Sequence, residues 1–316
     1  SMLTLLNLCF YNIVCFHNWK DVVKYKLYKE WSKYKEIIYF NNYVSLGATS
    51  YLSRTQGSTL LVNYFFGTVV NAAFAIGYMI ENYCIMFVSN LGLAAGPQIT
   101  KNYENNYERS FELTATLSRY STYMMLVLVV PFSVELDFIV HIWLKEVPEG
   151  ALLVCHLTLL SALVRIAVGD TSKIVQASGK IRWFQIIGST IELSCLPVSY
   201  ILFLKGFPAY MVIIVYILSS LANCVSSLFL LHRILSFDVW KFIRQLYIPV
   251  GMVLGVISLF VKLYTLVISN EMSVFFHLFG ICLSVVITAI VAYTLGLNTS
   301  ERIRLNNFVL QKIRTQ

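Results

Sequence analysis

Charge is what this chain is short of: Asp, Glu, Lys and Arg make up 13% of its 316 residues. A soluble domain carries roughly 25%, so these residues cannot cover a surface that faces water on all sides. Metal-ligand and redox spacings are missing too. The seven cysteines (9, 15, 84, 155, 195, 224, 282) include no CxxC, and the five histidines form no HxxxH or HExxH. Neither a zinc site nor a disulfide framework is indicated, and the cysteines read as small residues within apolar runs. No long polar stretch interrupts the chain. Its longest loops run to about 20 residues without a clustered acid and base, which argues against an enzyme. A secretory signal is not indicated either, because Ser1-Met2 runs into LTLLNLCFYNIVCF with no basic region before it and no small-residue cleavage site after it. That opening reads as the end of a membrane helix whose beginning lies in a longer chain.

What is present is apolar length. Hydrophobic residues make up 58% of the chain and the mean hydropathy is +0.69. A bilayer is crossed by a helix of roughly 17 to 25 apolar residues. Stretches of that kind occupy 37–61, 69–95, 120–140, 151–168, 183–204, 209–231, 247–269 and 274–297, with a partial one at 2–17. The expected fold is therefore all-α: a polytopic membrane bundle of eight complete spans plus an N-terminal partial one.

The loops test that count, since Lys and Arg collect on the cytoplasmic side of membrane proteins. Lys20, Lys24, Lys26, Lys29, Lys33 and Lys35 fall in one loop; the next, at 62–68, has no basic residue. Lys101, Arg109 and Arg119 follow, then Lys145 alone among Glu135, Asp137, Glu146 and Glu149. Arg165, Lys173, Lys180 and Arg182 come next, then Lys205 alone. Arg233, Lys241 and Arg244 precede a loop holding only Lys262, and the tail carries Arg302, Arg304, Lys312 and Arg314. The alternation places both flanks and the C-terminus in the cytoplasm. It also accounts for the formal charge of +8 without nucleic acid as a partner.

Four parts are expected: a partial span (1–19), a basic cytoplasmic linker (20–36), a six-helix lobe (37–231) and two further spans with a basic tail (232–316). The lysine-rich linker, in which Leu27, Trp31 and tyrosines sit among charges, reads either as an amphipathic helix on the inner membrane surface or as a solvated connection. The six-helix lobe holds most of the Asn, Ser, Thr and buried charge; the last two spans are mostly Leu, Val and Ile.

Arg54 is the one basic residue left outside that alternation, and it lies well within a span. A cation at the bilayer centre costs roughly 3 kcal/mol on insertion scales, so something must compensate it. At 100° per residue, Asn42, Ser45, Thr49, Ser53 and Gln56 share one face of the span, and Tyr43, Gly47, Ser50, Arg54 and Gly57 form an adjoining strip. Such a face either lines water or packs on a partner helix. In the next span Asn71, Tyr78, Asn82 and Ser89 lie along one stripe with Glu81 at its edge. Glu81 and Arg54 come to similar depths in neighbouring antiparallel helices, which predicts that they pair or face one cavity. Glu192 is the third charge at depth, sharing a face with Gln185, Ser189 and Ser199, and Pro197 frees a carbonyl one turn earlier. Glu81 and Glu192 are the candidate proton or cation carriers. Pro197 and Pro131 read as hinges or as kinks. Arg165 and Asp170 read as interfacial anchors.

The stretches QGSTLLVNYFFGTVVNAAFAIG and FVSNLGLAAGPQITKNYENN, followed in order by HIWLKEVPEGA, VQASGKIRWFQIIG and LPVSYILFLKGF, resemble the Wzx-like O-antigen and polysaccharide flippases. These belong with the multidrug extrusion (MATE-like) transporters and the lipid II flippase. The resemblance covers about residues 20 to 250 and implies one lobe of a two-lobed transporter, with 247–297 as the extra pair of helices and the first lobe missing. It implies a multi-pass protein of the bacterial inner membrane that moves a polyprenyl-pyrophosphate-linked oligosaccharide, an O-antigen or capsule unit used in lipopolysaccharide or polysaccharide biosynthesis, by alternating access. Membrane lipids, the missing lobe and polysaccharide polymerase or assembly proteins are the implied partners. No cofactor is implied beyond H+ or Na+ as a coupling ion. On this reading Arg54 faces the pyrophosphate or an acidic sugar, and Asn42, Ser45, Thr49, Ser53, Gln56, Asn71, Tyr78 and Asn82 line the substrate cavity. Two alternatives stay open: a cation-coupled drug exporter with acidic and aromatic walls, and a non-transporting scaffold whose polar stripes only pack helices.

Overall fold

The computed structural model describes residues 2–18, 20, 31–169, 171–267, 273–299, 301–303 and 306–307. Most of the lysine-rich linker (21–30), Asp170, the segment 268–272 and the tail beyond Asn307 lie outside the described residues, so the amphipathic-helix expectation does too. The described residues form helices joined by short connections and contain no strand.

Two compact units are present, Ser1–Asn42 and Tyr43–Gln316. In the first, α1 (Met2–Asn18) exposes Leu5, Leu6, Phe10, Tyr11 and Ile13. The second unit holds the bundle, and α2 (Trp31–Asn105) supplies its first long helix. After it come α3 (Tyr107–Val134), α4 (Leu136–Trp143), α5 (Ala151–Ala167), α6 (Ser172–Ala177), α7 (Arg182–Leu204), α8 (Met211–Leu235), α9 (Val239–Val267) and α10 (Val274–Val291), the last running into a π-helical turn at Ala292–Gly296. Among the described residues six helices are long and apolar enough to cross a membrane, and α5 is a shorter apolar helix. The protein is a helical, multi-pass membrane bundle.

Gly67 divides α2. Its φ of 81° lies in the left-handed region that a Cβ disfavours, and helix resumes directly after it. Tyr216 shows where the two arms go. Its hydroxyl donates to the Arg54 carbonyl at 3.2 Å and also lies beside the Tyr78 hydroxyl. Along an unbroken helix residues 54 and 78 would stand roughly 36 Å apart, so the arms (to 66 and from 68) fold back on each other. Val62 and Phe74, one from each arm, accordingly share a core cluster with Val212 and Tyr216 of α8.

The central helix is α3. Ser110, Thr114, Ser118 and Thr122 are fully buried at four-residue spacing. In lipid, where helices gain no hydrophobic drive from meeting each other, such small residues let backbones approach closely. The neighbours are α5 on one side and α9 and α10 on the other. Here the structure corrects an expectation: the span read as 120–140 is α3 from Tyr107 to Val134, with a break at Glu135. Pro131 stays inside the helix and accepts a hydrogen bond from the Glu135 N–H. Glu135 is buried, and its carboxylate takes His277 Nδ1 at 2.6 Å and the Tyr264 hydroxyl. That polar demand turns the chain aside into the short α4.

Candidate functional site

The first arm of α2 and α7 run parallel in one register. A Cβ on Gly47 would meet Gln185, and one on Gly57 would meet the Leu196 side chain. The same offset brings Arg54 to Glu192, whose Nη1 and Oε2 lie 2.6 Å apart. Glycine at both ends of the crossing lets α7 come close enough for the pair to form. Arg54 is 4% exposed. Tyrosine rings enclose its guanidinium, Tyr216 with its centroid at 4.1 Å and Tyr51 at 5.2 Å, an arrangement that adds cation–π attraction in a low-dielectric setting.

Glu81, from the second arm, pairs with Arg165 of α5 at 3.7 Å. Arg165 also donates to the Tyr51 hydroxyl at 3.2 Å, and its guanidinium stands 5.6 Å from that ring. Tyr51 therefore joins the two pairs, and Arg54 lies within electrostatic reach of Glu81. Asn223 of α8 closes the group by donating to Glu192 Oε1 at 3.2 Å. Two arginines and two glutamates alternate in one neutral cluster, so each charge offsets its neighbour's cost of burial.

Two expectations are corrected. The sequence predicts that Arg54 pairs with Glu81 or faces one cavity with it. Its ion pair is with Glu192, because parallel packing of the first arm on α7 sets the register, and Glu81 stays within its electrostatic reach. Arg165 was expected as an interfacial anchor; its side chain turns inward to Glu81 and Tyr51. The predicted cavity face divides as well. Ser45, Thr49 and Gln56 are exposed on the outside of the second unit, Ser53 is half-buried, and Asn42, in the first unit, is exposed. The adjoining strip with Gly47, Ser50 and Arg54 is the one that faces inward. In the second arm Tyr78 buries its hydroxyl, Asn71 is half-buried and Asn82 is exposed.

A pocket of about 130 Å³ opens beside the cluster, lined by Arg165, Thr171, Glu192, Ser220, Asn223 and Ser227 among others. Sequence reasoning missed Tyr216, Asn223 and this use of Arg165. Tyr216 and Asn223 lie seven apart, two turns along one face of α8, and that polar spacing in an apolar helix was the available signal. It also missed a second polar centre, where Glu135, His277 and Tyr264 border a cavity of about 390 Å³ that Asp137 and His141 line as well. All seven cysteines are free thiols. Compared with known protein families, with curated proteins and with solved structures, the chain finds no match.

Proposed function

We propose that this chain is the substrate-facing lobe of a membrane flippase that moves a polyprenyl-pyrophosphate-linked oligosaccharide across the bacterial inner membrane by alternating access. Eight spans then count each arm of α2 and the short α5 separately, with the basic loops in the cytoplasm. One observation carries the reading: Ser45, Thr49 and Gln56 are exposed along a helix otherwise apolar enough to cross a bilayer. Hydrocarbon is a poor neighbour for two hydroxyls and an amide. A water-filled passage that admits sugar hydroxyls, closed on its far side by a second lobe, is a good one. Arg54 is covered in this conformation, so its guanidinium reaches a pyrophosphate only after the Glu192 pair opens. Ion pairs that can exchange partners suit alternation between two states.

The test is translocation of a fluorescent polyprenyl-pyrophosphate glycan in proteoliposomes containing the complete transporter. Gln56→Leu and Thr49→Leu are expected to reduce flipping while insertion stays normal. Unchanged flipping in both variants would remove the exposed face from the pathway. The second reading, a cation-coupled drug exporter, is favoured by Tyr51 and Tyr216 packed about the glutamate-bearing cluster. It predicts uptake of lipophilic cations driven by a proton or sodium gradient, with no dependence on Gln56.

A further inference from the structure

Five polar side-chain atoms in one region of the second unit are buried without a hydrogen-bond partner of acceptable geometry: Arg54 Nε and the hydroxyls of Ser58, Tyr78, Ser189 and Ser199. Ser58 and Tyr78 lie beside the Tyr216 hydroxyl, but neither is aligned with it. Glu192 Oε2 touches Arg54 off the line that a hydrogen bond requires. Native interiors rarely leave such atoms dry, and clusters of them are where buried water is held, since one water satisfies two to four polar groups.

The sequence places these atoms in line. On α7, Ser189, Glu192 and Ser199 are spaced by three and seven, one face of a helix. On the first arm, Arg54 and Ser58 are one turn apart. On α8, Tyr216, Ser220, Asn223 and Ser227 continue the stripe downward into the pocket that Arg165 and Thr171 border. Three polar stripes thus converge where Arg54, Glu192 and Tyr216 meet, and the α8 stripe leads from there to that pocket.

We propose that the interior of the second unit carries a column of ordered water, entered at the Arg165–Thr171 pocket, passing Glu192 and Arg54, and ending at Tyr78 and Ser199. Water there hydrates the charge cluster from inside and supplies Arg54 Nε with an acceptor. It lets the two ion pairs separate without exposing bare charge to hydrocarbon. The column rests on the geometry of this lobe and does not depend on which solute the protein moves.

Radiolytic footprinting of the whole chain in lipid nanodiscs tests it, because hydroxyl radicals formed from bound water oxidise the side chains that touch it. Phe237 and Met125 are buried in apolar clusters and serve as dry references, the thioether being intrinsically the more reactive toward radicals. Tyr78 and Tyr216 are expected to be oxidised at least about tenfold faster than either reference. Protection of both tyrosines equal to that of Met125 overturns the proposal in the unsubstituted protein, before any variant is made. Ser227→Leu, at the mouth of the pocket, is expected to delay the appearance of oxygen-18 in the oxidised tyrosines after mixing into labelled water. An unchanged rate of appearance overturns entry through this pocket.

Discussion

Buried polarity is handled in two ways in this bundle. Around α3 it is returned to the backbone or locked into fixed pairs. Ser110 donates to the Ile99 carbonyl, and Thr114 and Thr122 donate one turn back along their own helix. Arg119 meets Glu301, and Glu135 takes both His277 and Tyr264. Where the first arm of α2 meets α7 and α8, some polar atoms lack partners and the charges form one neutral cluster. The α3 side has orphans as well, Tyr107 Oη, Arg119 Nε and Thr288 Oγ1. Tyr107 and Arg119, however, stand about 18 Å apart along one helix and line no shared axis. A membrane protein keeps unsatisfied groups together only where water or a ligand can reach them. On the function proposed above, the α3 side is the frame and the α2–α7–α8 side is the working part.

The largest effect is expected from breaking one half of an ion pair. Arg54→Leu or Glu192→Leu alone should cost about 3–5 kcal/mol, the penalty of leaving one buried charge unpaired. Folded yield and thermal unfolding in detergent report it. The joint change Arg54→Leu, Glu192→Leu should recover most of the loss. Arg54→Leu combined with Glu81→Leu should not, because it strands both Glu192 and Arg165. Rescue by the second double variant in place of the first would reverse the observed pairing.

On the frame side, Glu135→Ala should cost about 1–3 kcal/mol, since it leaves the Tyr264 hydroxyl and His277 Nδ1 without their acceptor. The comparison sharpens if transport is measured in parallel. Glu135→Ala should lower thermal stability while the surviving folded protein transports at near the parental rate. Gln56→Leu, on the exposed face of the first arm, should do the opposite, keeping most of the stability and losing most of the transport. Equal losses in both assays for both variants would erase the distinction between frame and working side.

How far these sides were legible in the sequence depends on what each feature answers to. Membrane helices answer to hydrocarbon thickness, so Arg182–Leu204 and Met211–Leu235 nearly coincide with the runs read as 183–204 and 209–231. The turn inside α2 falls in the loop read as 62–68, and Gly67 makes it because only one residue type takes that backbone readily. The helix break at Glu135 was not legible, because it answers to His277, more than a hundred residues away. Depth alone suggested Arg54 with Glu81, and depth is a poor guide when several helices cross one level. The deciding fact was Gly47 and Gly57 facing α7, a matter of which helices touch. The same blindness left open which of the two polar strips of the first arm turns toward α7. Both are polar, and periodicity shows that a face exists without showing which way it turns.

A smaller effect is expected where the two helices cross. Gly57→Ala places a Cβ 2.8 Å from a Leu196 methyl group, so the leucine must shift and the helices part slightly. A loss of about 1 kcal/mol is expected. Because Arg54 lies one turn away, the same variant should loosen the Glu192 pair and raise the rate at which Glu192 reacts with a water-soluble carbodiimide. Gly251, where a Cβ would meet nothing, is the control: Gly251→Ala should show only the helix-propensity gain of roughly 0.5–1 kcal/mol and leave the carbodiimide rate unmoved.

The smallest effect is the most informative, because its sign decides the matter. Ser110→Ala on the frame side removes a hydroxyl that donates to Ile99 and should cost about 1 kcal/mol, an ordinary lost hydrogen bond. Ser199→Ala on the working side removes a fully buried hydroxyl that no protein group satisfies. If that hydroxyl is dry, its removal relieves a desolvation penalty and the variant is more stable than its parent. If it is held by ordered water, its removal costs a few tenths to about 1 kcal/mol, as loss of a water-mediated bond does. The expected outcome is a loss, smaller than that of Ser110→Ala, in paired thermal melts under one detergent and lipid condition. Ser189→Ala should match it, since both hydroxyls stand on the Glu192 face of α7. A gain in stability at both positions would mean that the polar stripes are an unrelieved burden on the fold, and the contrast between the two sides of the bundle would then be one of packing quality alone.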